Sequence, residues 1–169
     1  MAAMKERVSG PIELCDHDPE WAAQFREQAV RIRDALGARA SRIEHVGSTA
    51  VPDLIAKPVI DIALEVPDSS DEGAYVPELA TLGYVLRIRE PDWFEHRFLH
   101  GHRPRVNLHV FSADCPETER MVRFRDRLRT HPADRDRYAQ AKRELAARDW
   151  EYMQQYADAK TSVIDDILT

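Results

Sequence analysis

Apolar residues recur with two different periods along this chain. Both periods occur before about residue 115, and only the helical period occurs after it. Upstream of that point, runs in which apolar residues alternate or cluster predict β-strands at 12–15, 41–46, 59–66, 84–88, 94–99 and 105–111. Apolar residues spaced three and four apart predict helices at 19–36, 72–82, 116–130, 132–148 and 150–168. The order predicts an α/β (α+β) fold with a mixed β-sheet flanked by helices and a helical C-terminal third, in one domain over 1–169.

Local signals mark the ends of two of these elements. Asp18 can accept hydrogen bonds from the first turn of the first helix, Pro19 suits its first position, and Gly37 is typical of a helix end. Pro52 lacks the amide hydrogen that a longer helix would need there, so we expect at most one helical turn from Ser48.

The most strongly predicted strand, at 59–66, reads VIDIALEV. One alternate set of its side chains is apolar, and the other set is Asp61, Ala63 and Glu65. An acidic side chain in such a strand needs a partner that offsets the cost of burying its charge. A cation or Lys57 would serve, which makes Asp61 a candidate functional residue.

Composition and charge exclude several classes of protein. The chain has 169 residues, enough to bury a core, and no apolar run approaches the roughly 20 residues that span a bilayer, so no membrane partner is expected. The first 14 residues lack the apolar segment of a secretory signal, and we expect a cytoplasmic protein. The net charge of −6 does not favour binding to polymeric nucleic acid, so a small nucleotide is the more plausible partner.

The segment from Gly47 to Asp61 carries residue types suited to phosphate chemistry. Gly47 lets backbone approach a phosphate, and the Ser48 hydroxyl can donate to phosphate oxygens. Asp61 can hold a divalent cation, and Lys57 can neutralise charge on a leaving pyrophosphate. An ordinary strand-to-turn junction also explains Gly47 and Ser48, so both readings stay open on turn chemistry alone.

Motifs along nearly the whole chain resemble the GrpB family. They are DPxW at 18–21, EHVGSTAVP at 44–52, AKPVIDI at 56–62, NLHV at 107–110, FRDxLR at 124–129, and then Pro132, Tyr138, Lys142, Leu145 and Lys160. The resemblance implies the fold of the nucleotidyltransferase superfamily. It also implies an enzyme that binds a nucleoside triphosphate with Mg²⁺ and transfers a nucleotidyl group to a small-molecule acceptor.

Residue chemistry and the resemblance together give expected roles to individual residues, although solvated helix faces would also explain the basic residues of the helical third. Those expected to bind the nucleotide are Gly47, Ser48, Thr49, Arg125, Arg129, Tyr138 and Lys142, with the Tyr138 ring placed to stack on a base. The expected catalytic residues are Asp61, His109 and Lys57, where His109 activates the acceptor and Lys57 or Arg129 stabilises the leaving phosphates. The expected metal ligand is Asp61, and His45 and His109 are further candidates on what look like neighbouring strands.

The sequence also departs from the superfamily pattern. Ala63 stands where a second metal-binding acid is usual, His109 stands where a third is usual, and Asp53 replaces a glycine common in the family. The GrpB family shares the depleted acid set and occurs fused to dephospho-CoA kinase. The alternative function is therefore a non-catalytic nucleotide-binding or accessory, folding-helper module with a degenerate metal site.

A third and weaker alternative is a metalloenzyme that uses histidine ligands. His96, His100 and His102 cluster in the sequence, but their neighbours suggest an exposed hairpin rather than a metal site.

Overall fold

A computed structural model describes Arg7 and residues 12–169. Its strands are β1 (Arg42–Val46), β2 (Ile60–Val66), β3 (Val85–Glu90), β4 (His96–His102) and β5 (Arg105–Ser112). They form one mixed sheet in the order β1-β2-β5-β4-β3, in which only the β2–β5 pair is parallel. The predicted mixed sheet is therefore confirmed, and β2 and β5 lie side by side in its interior.

The helices are α1 (Glu20–Leu36), α2 (Val76–Thr81), α3 (Pro116–Thr130), α4 (Pro132–Ala146), α5 (Met153–Ala159) and α6 (Thr161–Leu168). At the start of α1, Asp18 Oδ1 accepts a hydrogen bond from the Glu20 amide at 2.9 Å, as the sequence predicts. Gly37 has φ 57° directly after the helix, a conformation that side chains disfavour. The helical C-terminal third is also confirmed.

Two apolar cores lie on different sides of the molecule. The larger core joins one face of the sheet to α1 and α2 and includes Ile32, Ile62 and Leu108. The smaller core joins the loop after β1 to α3, α4 and α6, and its members are Val51, Leu54, Leu128, Tyr138, Ala139 and Ile167. The second face of the sheet thus lies towards the C-terminal helices.

Several predicted elements are wrong in extent. The strand predicted at 12–15 is a single bridge between Cys15 and Ala56, because only that residue reaches a partner. The helix predicted at 72–82 is a 3₁₀ turn, Glu72–Ala74, followed by α2. The helix predicted at 150–168 is two helices that meet at Lys160.

Helices in the described part of the chain are too short or too polar to cross a membrane. Apart from Arg7, the N-terminal residues on which the absence of a secretory signal was judged lie largely outside that part.

Candidate functional site

The pairing register decides which side chains share the second face of the sheet. Asp61 pairs with Val46 on β1 and with Asn107 on β5, and Ala63 pairs with His109. Paired residues project from the same face of a sheet. Asp61, Asn107 and His109 therefore stand together on the face that looks towards the C-terminal helices.

Gly47 ends β1 directly beside the Asp61 carboxylate. Its backbone has φ 73° and ψ −174°, a region that is essentially restricted to glycine. A Cβ at this position would lie 2.6 Å from Asp61 Oδ2, far inside a normal contact. The predicted single helical turn, Ser48–Ala50, follows at once. Glycine is needed here both for the turn and for the close approach of Asp61.

Lys142 of α4 is a buried cation that reaches the same turn. Its Nζ donates to Ser48 Oγ at 2.6 Å and to the Ile55 carbonyl oxygen at 2.8 Å, and only 2% of the residue is exposed. Burial, and then the charge of Lys160, lower the pKa of Lys142 well below its usual range, although Asp61 opposes the shift. The fold therefore favours the neutral form of this amine more than water does.

Asp61 is the one acid at the centre of this group of residues. Its carboxylate Oδ1 lies 3.6 Å from His109 Nε2, and its side chain keeps 29% exposure. Burial alone would raise the pKa of Asp61, but His109 in its protonated form, Lys160 and a hydrogen bond from Asn107 outweigh burial and lower it. The carboxylate is thus held ionised and open to solvent, next to Gly47.

A row of polar groups leads away from Asp61 across the sheet. His109 Nδ1 lies 3.0 Å from His96 Nε2, and His96 Nδ1 lies 2.8 Å from Glu90 Oε1. Burial lowers the pKa of His96 to about 2, so its ring is neutral. The sequence predicted an exposed hairpin around His96, and this is wrong for that residue because β4 lies between β3 and β5.

Two predicted site residues, His45 and Thr49, are directed away from Asp61. His45 pairs with Ile62, so it projects from the opposite face, where it stacks on Phe25 at 4.8 Å. Its strand, β1, also lies across β2 from the strand of His109, so the two are not neighbours as expected. The Thr49 hydroxyl lies 2.9 Å from His45 Nε2 and is buried with it.

The Tyr138 ring does not fit the predicted stacking role. Only 4% of the residue is exposed, and Phe124 packs edge-on against the ring at 5.0 Å. Its hydroxyl hydrogen-bonds with Ser48 instead. Tyr138 therefore supports the turn that begins at Ser48 and offers no open face to a base.

The two predicted arginines, Arg125 and Arg129, bind different parts of the backbone. Arg125 donates to Glu44 Oε2 at 2.7 Å and to the His45 carbonyl oxygen at 3.1 Å, so it braces β1. Arg129 donates to the Ala50 carbonyl oxygen at 2.9 Å, and its side chain is 40% exposed beside the turn. Only Arg129 remains accessible from the site.

Lys57 lies on the loop between the turn and β2. Its Nζ is 3.9 Å from Met153 Sδ on α5, and its charge helps to lower the pKa of Lys142. Lys142 and Lys160 thus interact with the Asp61 carboxylate, and Lys57 lies close enough to Lys142 for their charges to interact.

The described residues contain no group of three His, Cys, Asp or Glu side chains arranged to hold a metal ion. Glu44 faces Ala63 across the β1–β2 pair, but it is engaged by Arg125 and Arg42. Glu65 Oε2 accepts a hydrogen bond from the Cys115 amide at 3.1 Å. This bond lies at the start of α3, away from Asp61. Of these three described carboxylates, Asp61 is the one placed to share a cation with a ligand.

Sequence reasoning left Asn107, His96 and Glu90 out of the site and expected Lys160 only as part of a basic wall around the nucleotide. Asn107 donates to Asp61, and Lys160 influences it from the junction of α5 and α6. The alternation of β5 places Asn107 and His109 on one face, a signal that was readable from the sequence. The approach of Lys160 depends on helix packing, which carries no such local signal.

Comparison with known proteins finds the same family over most of the chain. The family model described as GrpB protein matches residues 11–169. A UPF0157 protein of Halalkalibacterium halodurans is 55% identical over 157 residues, which cover 93% of this chain and 80% of that protein. The crystal structure of conserved protein GrpB from Enterococcus faecalis has a TM-score of 0.74 at 26% identity, and covers 93% of this chain and 100% of that one.

A longer relative carries a more specific name. A dephospho-CoA kinase of Mycolicibacterium paratuberculosis is 31% identical over 173 residues, which cover 85% of this chain and 42% of that protein. The segment similar to this chain therefore makes up less than half of that kinase.

Proposed function

This chain belongs to the GrpB family, and from that premise we propose that it binds a nucleoside triphosphate with Mg²⁺ and transfers the nucleotidyl group to a small-molecule acceptor. The observation that supports this most is the ionised Asp61 carboxylate against the backbone of Gly47, with amines arranged around it. A triphosphate needs cations along its length and one carboxylate that can share a divalent ion.

The residues present suit Mg²⁺ bound together with a nucleotide rather than alone. Mg²⁺ commonly keeps several waters and is bound through one or two carboxylates plus substrate phosphates, and Asp61 supplies one carboxylate. When bound, Mg²⁺ would neutralise phosphate charge and polarise the phosphoryl oxygens. Asp61 would hold it, and no second protein acid is required.

The chain's own residues orient the triphosphate and stabilise its negative charge. Ser48 donates its hydroxyl to a phosphate oxygen, and the arriving phosphate charge favours the protonated form of Lys142, whose amine contacts Ser48. Lys57 and Arg129 stabilise the charge that develops on the departing pyrophosphate.

Proton removal from the acceptor falls to His109. Its Nε2 takes the proton of the acceptor hydroxyl while the acceptor oxygen bonds to the α-phosphorus. The bond from that phosphorus to the pyrophosphate oxygen breaks, and pyrophosphate leaves with both electrons.

Asp61→Asn tests the proposal because it removes the ionised oxygen and keeps the size of the side chain. We expect calorimetric titration with ATP, CTP, GTP and UTP to show Mg²⁺-dependent binding of at least one nucleotide to the parent and at least tenfold weaker binding to the variant. Asp53→Asn is the matched control, since Asp53 is exposed at φ 66°, where asparagine is tolerated. Equal binding by parent and Asp61→Asn would contradict the metal role of Asp61.

The second candidate function is the non-catalytic nucleotide-binding or accessory module. Ala63 in place of a second acid favours it, and so does the similarity to less than half of a dephospho-CoA kinase. Failure of the parent to bind any of the four nucleotides would shift support to the accessory role.

A further inference from the structure

We propose that Glu90 and His96 are positioning residues that set which nitrogen of His109 carries its proton. The inference rests on the proposed function, in which His109 Nε2 takes a proton from the hydroxyl of the small-molecule substrate that receives the nucleotidyl group. It goes further because it places two residues from β3 and β4 behind the base. The hydrogens along the hydrogen-bonded row Glu90–His96–His109 have one arrangement whether or not a nucleotide binds.

The row is continuous by distance. Glu90 Oε1 and His96 Nδ1 are 2.8 Å apart, and His96 Nε2 and His109 Nδ1 are 3.0 Å apart. Both separations are normal for hydrogen bonds, so each contact must hold one hydrogen between its two atoms. The remaining nitrogen, His109 Nε2, lies 3.6 Å from Asp61 Oδ1, which is too long for a hydrogen bond and so requires no hydrogen on Nε2.

The hydrogens can be placed one after another, starting from the Glu90 carboxylate. An ionised carboxylate only accepts, so Glu90 takes the hydrogen of His96 Nδ1. At mildly alkaline pH a buried imidazole such as His96 is neutral and has one hydrogen, so its Nε2 must accept. The hydrogen in the second contact therefore belongs to His109 Nδ1. In neutral His109 this leaves a lone pair on Nε2, directed at the site.

Packing holds the two rings in the geometry that these bonds need. The His96 and His109 rings stack at 5.3 Å with 25° between their planes, and Phe98 packs on His109 at 5.3 Å. Trp93 closes the outer side of His96 at 4.8 Å. Phe98 and His109 are also register partners of β4 and β5, so the sheet itself fixes the position of His109.

The opposite arrangement is chemically possible, and it has a different consequence. If Glu90 were protonated it would donate to His96 Nδ1, His96 Nε2 would donate to His109 Nδ1, and His109 would carry its hydrogen on Nε2. That hydrogen would point at Asp61 and block the role of a base. Burial raises the pKa of Glu90, but its side chain keeps 45% exposure, and at mildly alkaline pH a carboxyl exposed to that extent is ionised.

Long-range ¹H–¹⁵N correlation of the histidine rings in uniformly labelled full-length protein, at mildly alkaline pH, tests the inference directly. His109 is assigned by the signals lost in His109→Gln. We expect a protonated Nδ1 and an unprotonated Nε2 on His109 in the parent. Observation of the Nε2–H form in the parent would overturn the proposal.

Two variants test whether the row sets this pattern. His96→Phe keeps a stacking ring but removes the acceptor, and Glu90→Lys replaces an acceptor with a donor; each is expected to move the His109 hydrogen to Nε2. Glu95→Lys is the matched control, because Glu95 lies in the same hairpin with 44% exposure and pairs with Arg97 instead. An unchanged His109 pattern in both folded test variants would overturn the role of Glu90 and His96.

The same variants separate this inference from the proposed function. With turnover of a nucleotide established, His96→Phe should lower kcat by about 10²-fold, the lower end of general-base contributions, with little change in KM. If no nucleotide binds the parent, the proposed function fails while the ring spectra still decide the arrangement of hydrogens.

Discussion

Gly47 shows how much of this site depends on the absence of one atom. Its φ of 73° leaves the backbone in a region that side chains disfavour, and its missing Cβ makes room for the Asp61 carboxylate. Gly37 has a similar positive φ of 57°, but a Cβ there would meet nothing within 4 Å. The two glycines therefore separate backbone strain from the cost of crowding Asp61.

We predict that Gly37→Ala and Gly47→Ala both lower the free energy of unfolding by about 1–3 kcal/mol through backbone strain. Gly47→Ala should cost more, because the added methyl group must displace Asp61 or the turn. Urea unfolding of the two variants and the parent measures the difference. A smaller loss in Gly47→Ala than in Gly37→Ala would show that Asp61 does not constrain this position.

Among the elements, β1 and β2 and the turn between them were predictable from local pattern, and the pairing of β2 with β5 was not. A parallel pair joins residues far apart in sequence, and no local period specifies it. The face of His45 was readable, because Ile43 on the same alternation belongs to the core. The burial of His96 and the approach of Lys160 required the strand order and the helix packing.

Helix α4 carries the buried amine of the site, Lys142. A lysine whose pKa is lowered by folding binds fewer protons in the folded than in the unfolded state. The free energy of unfolding therefore rises with pH between the lowered pKa and about 10.4, where the unfolded lysine loses its proton.

We predict that Lys142→Met flattens this rise, since methionine keeps an unbranched apolar stem without a titrating group. At neutral pH the variant should be as stable as the parent or more stable, because an apolar side chain replaces a poorly solvated amine. Denaturant unfolding at a series of pH values, compared with the parent, measures both effects. The same pH slope in both proteins would show that Lys142 titrates normally.

At the scale of the whole molecule, the two cores have different relations to the site. The larger core lies behind the sheet, on the face opposite Asp61. The smaller core includes Tyr138, and its helices carry Lys142 onto Ser48. Loss of packing in the smaller core should therefore reach the site more directly.

Ile32→Ala and Ile167→Ala provide a test of that difference, with one buried isoleucine from each core. Each truncation should lower the free energy of unfolding by about 2–5 kcal/mol. Under conditions where both variants are fully folded, only Ile167→Ala should weaken nucleotide binding in calorimetry. Equal weakening in both variants would mean that the site depends on overall stability alone.

The distribution of the site along the chain has one more consequence. The residues of the site are spread along the chain: Gly47, Asp61, His109, Lys142 of α4, and Lys160 between α5 and α6. A proteolytic cut anywhere between 47 and 160 therefore divides these groups between two fragments. Neither fragment alone holds the full set of charges, so the site belongs to the assembled fold and to no separable peptide within it.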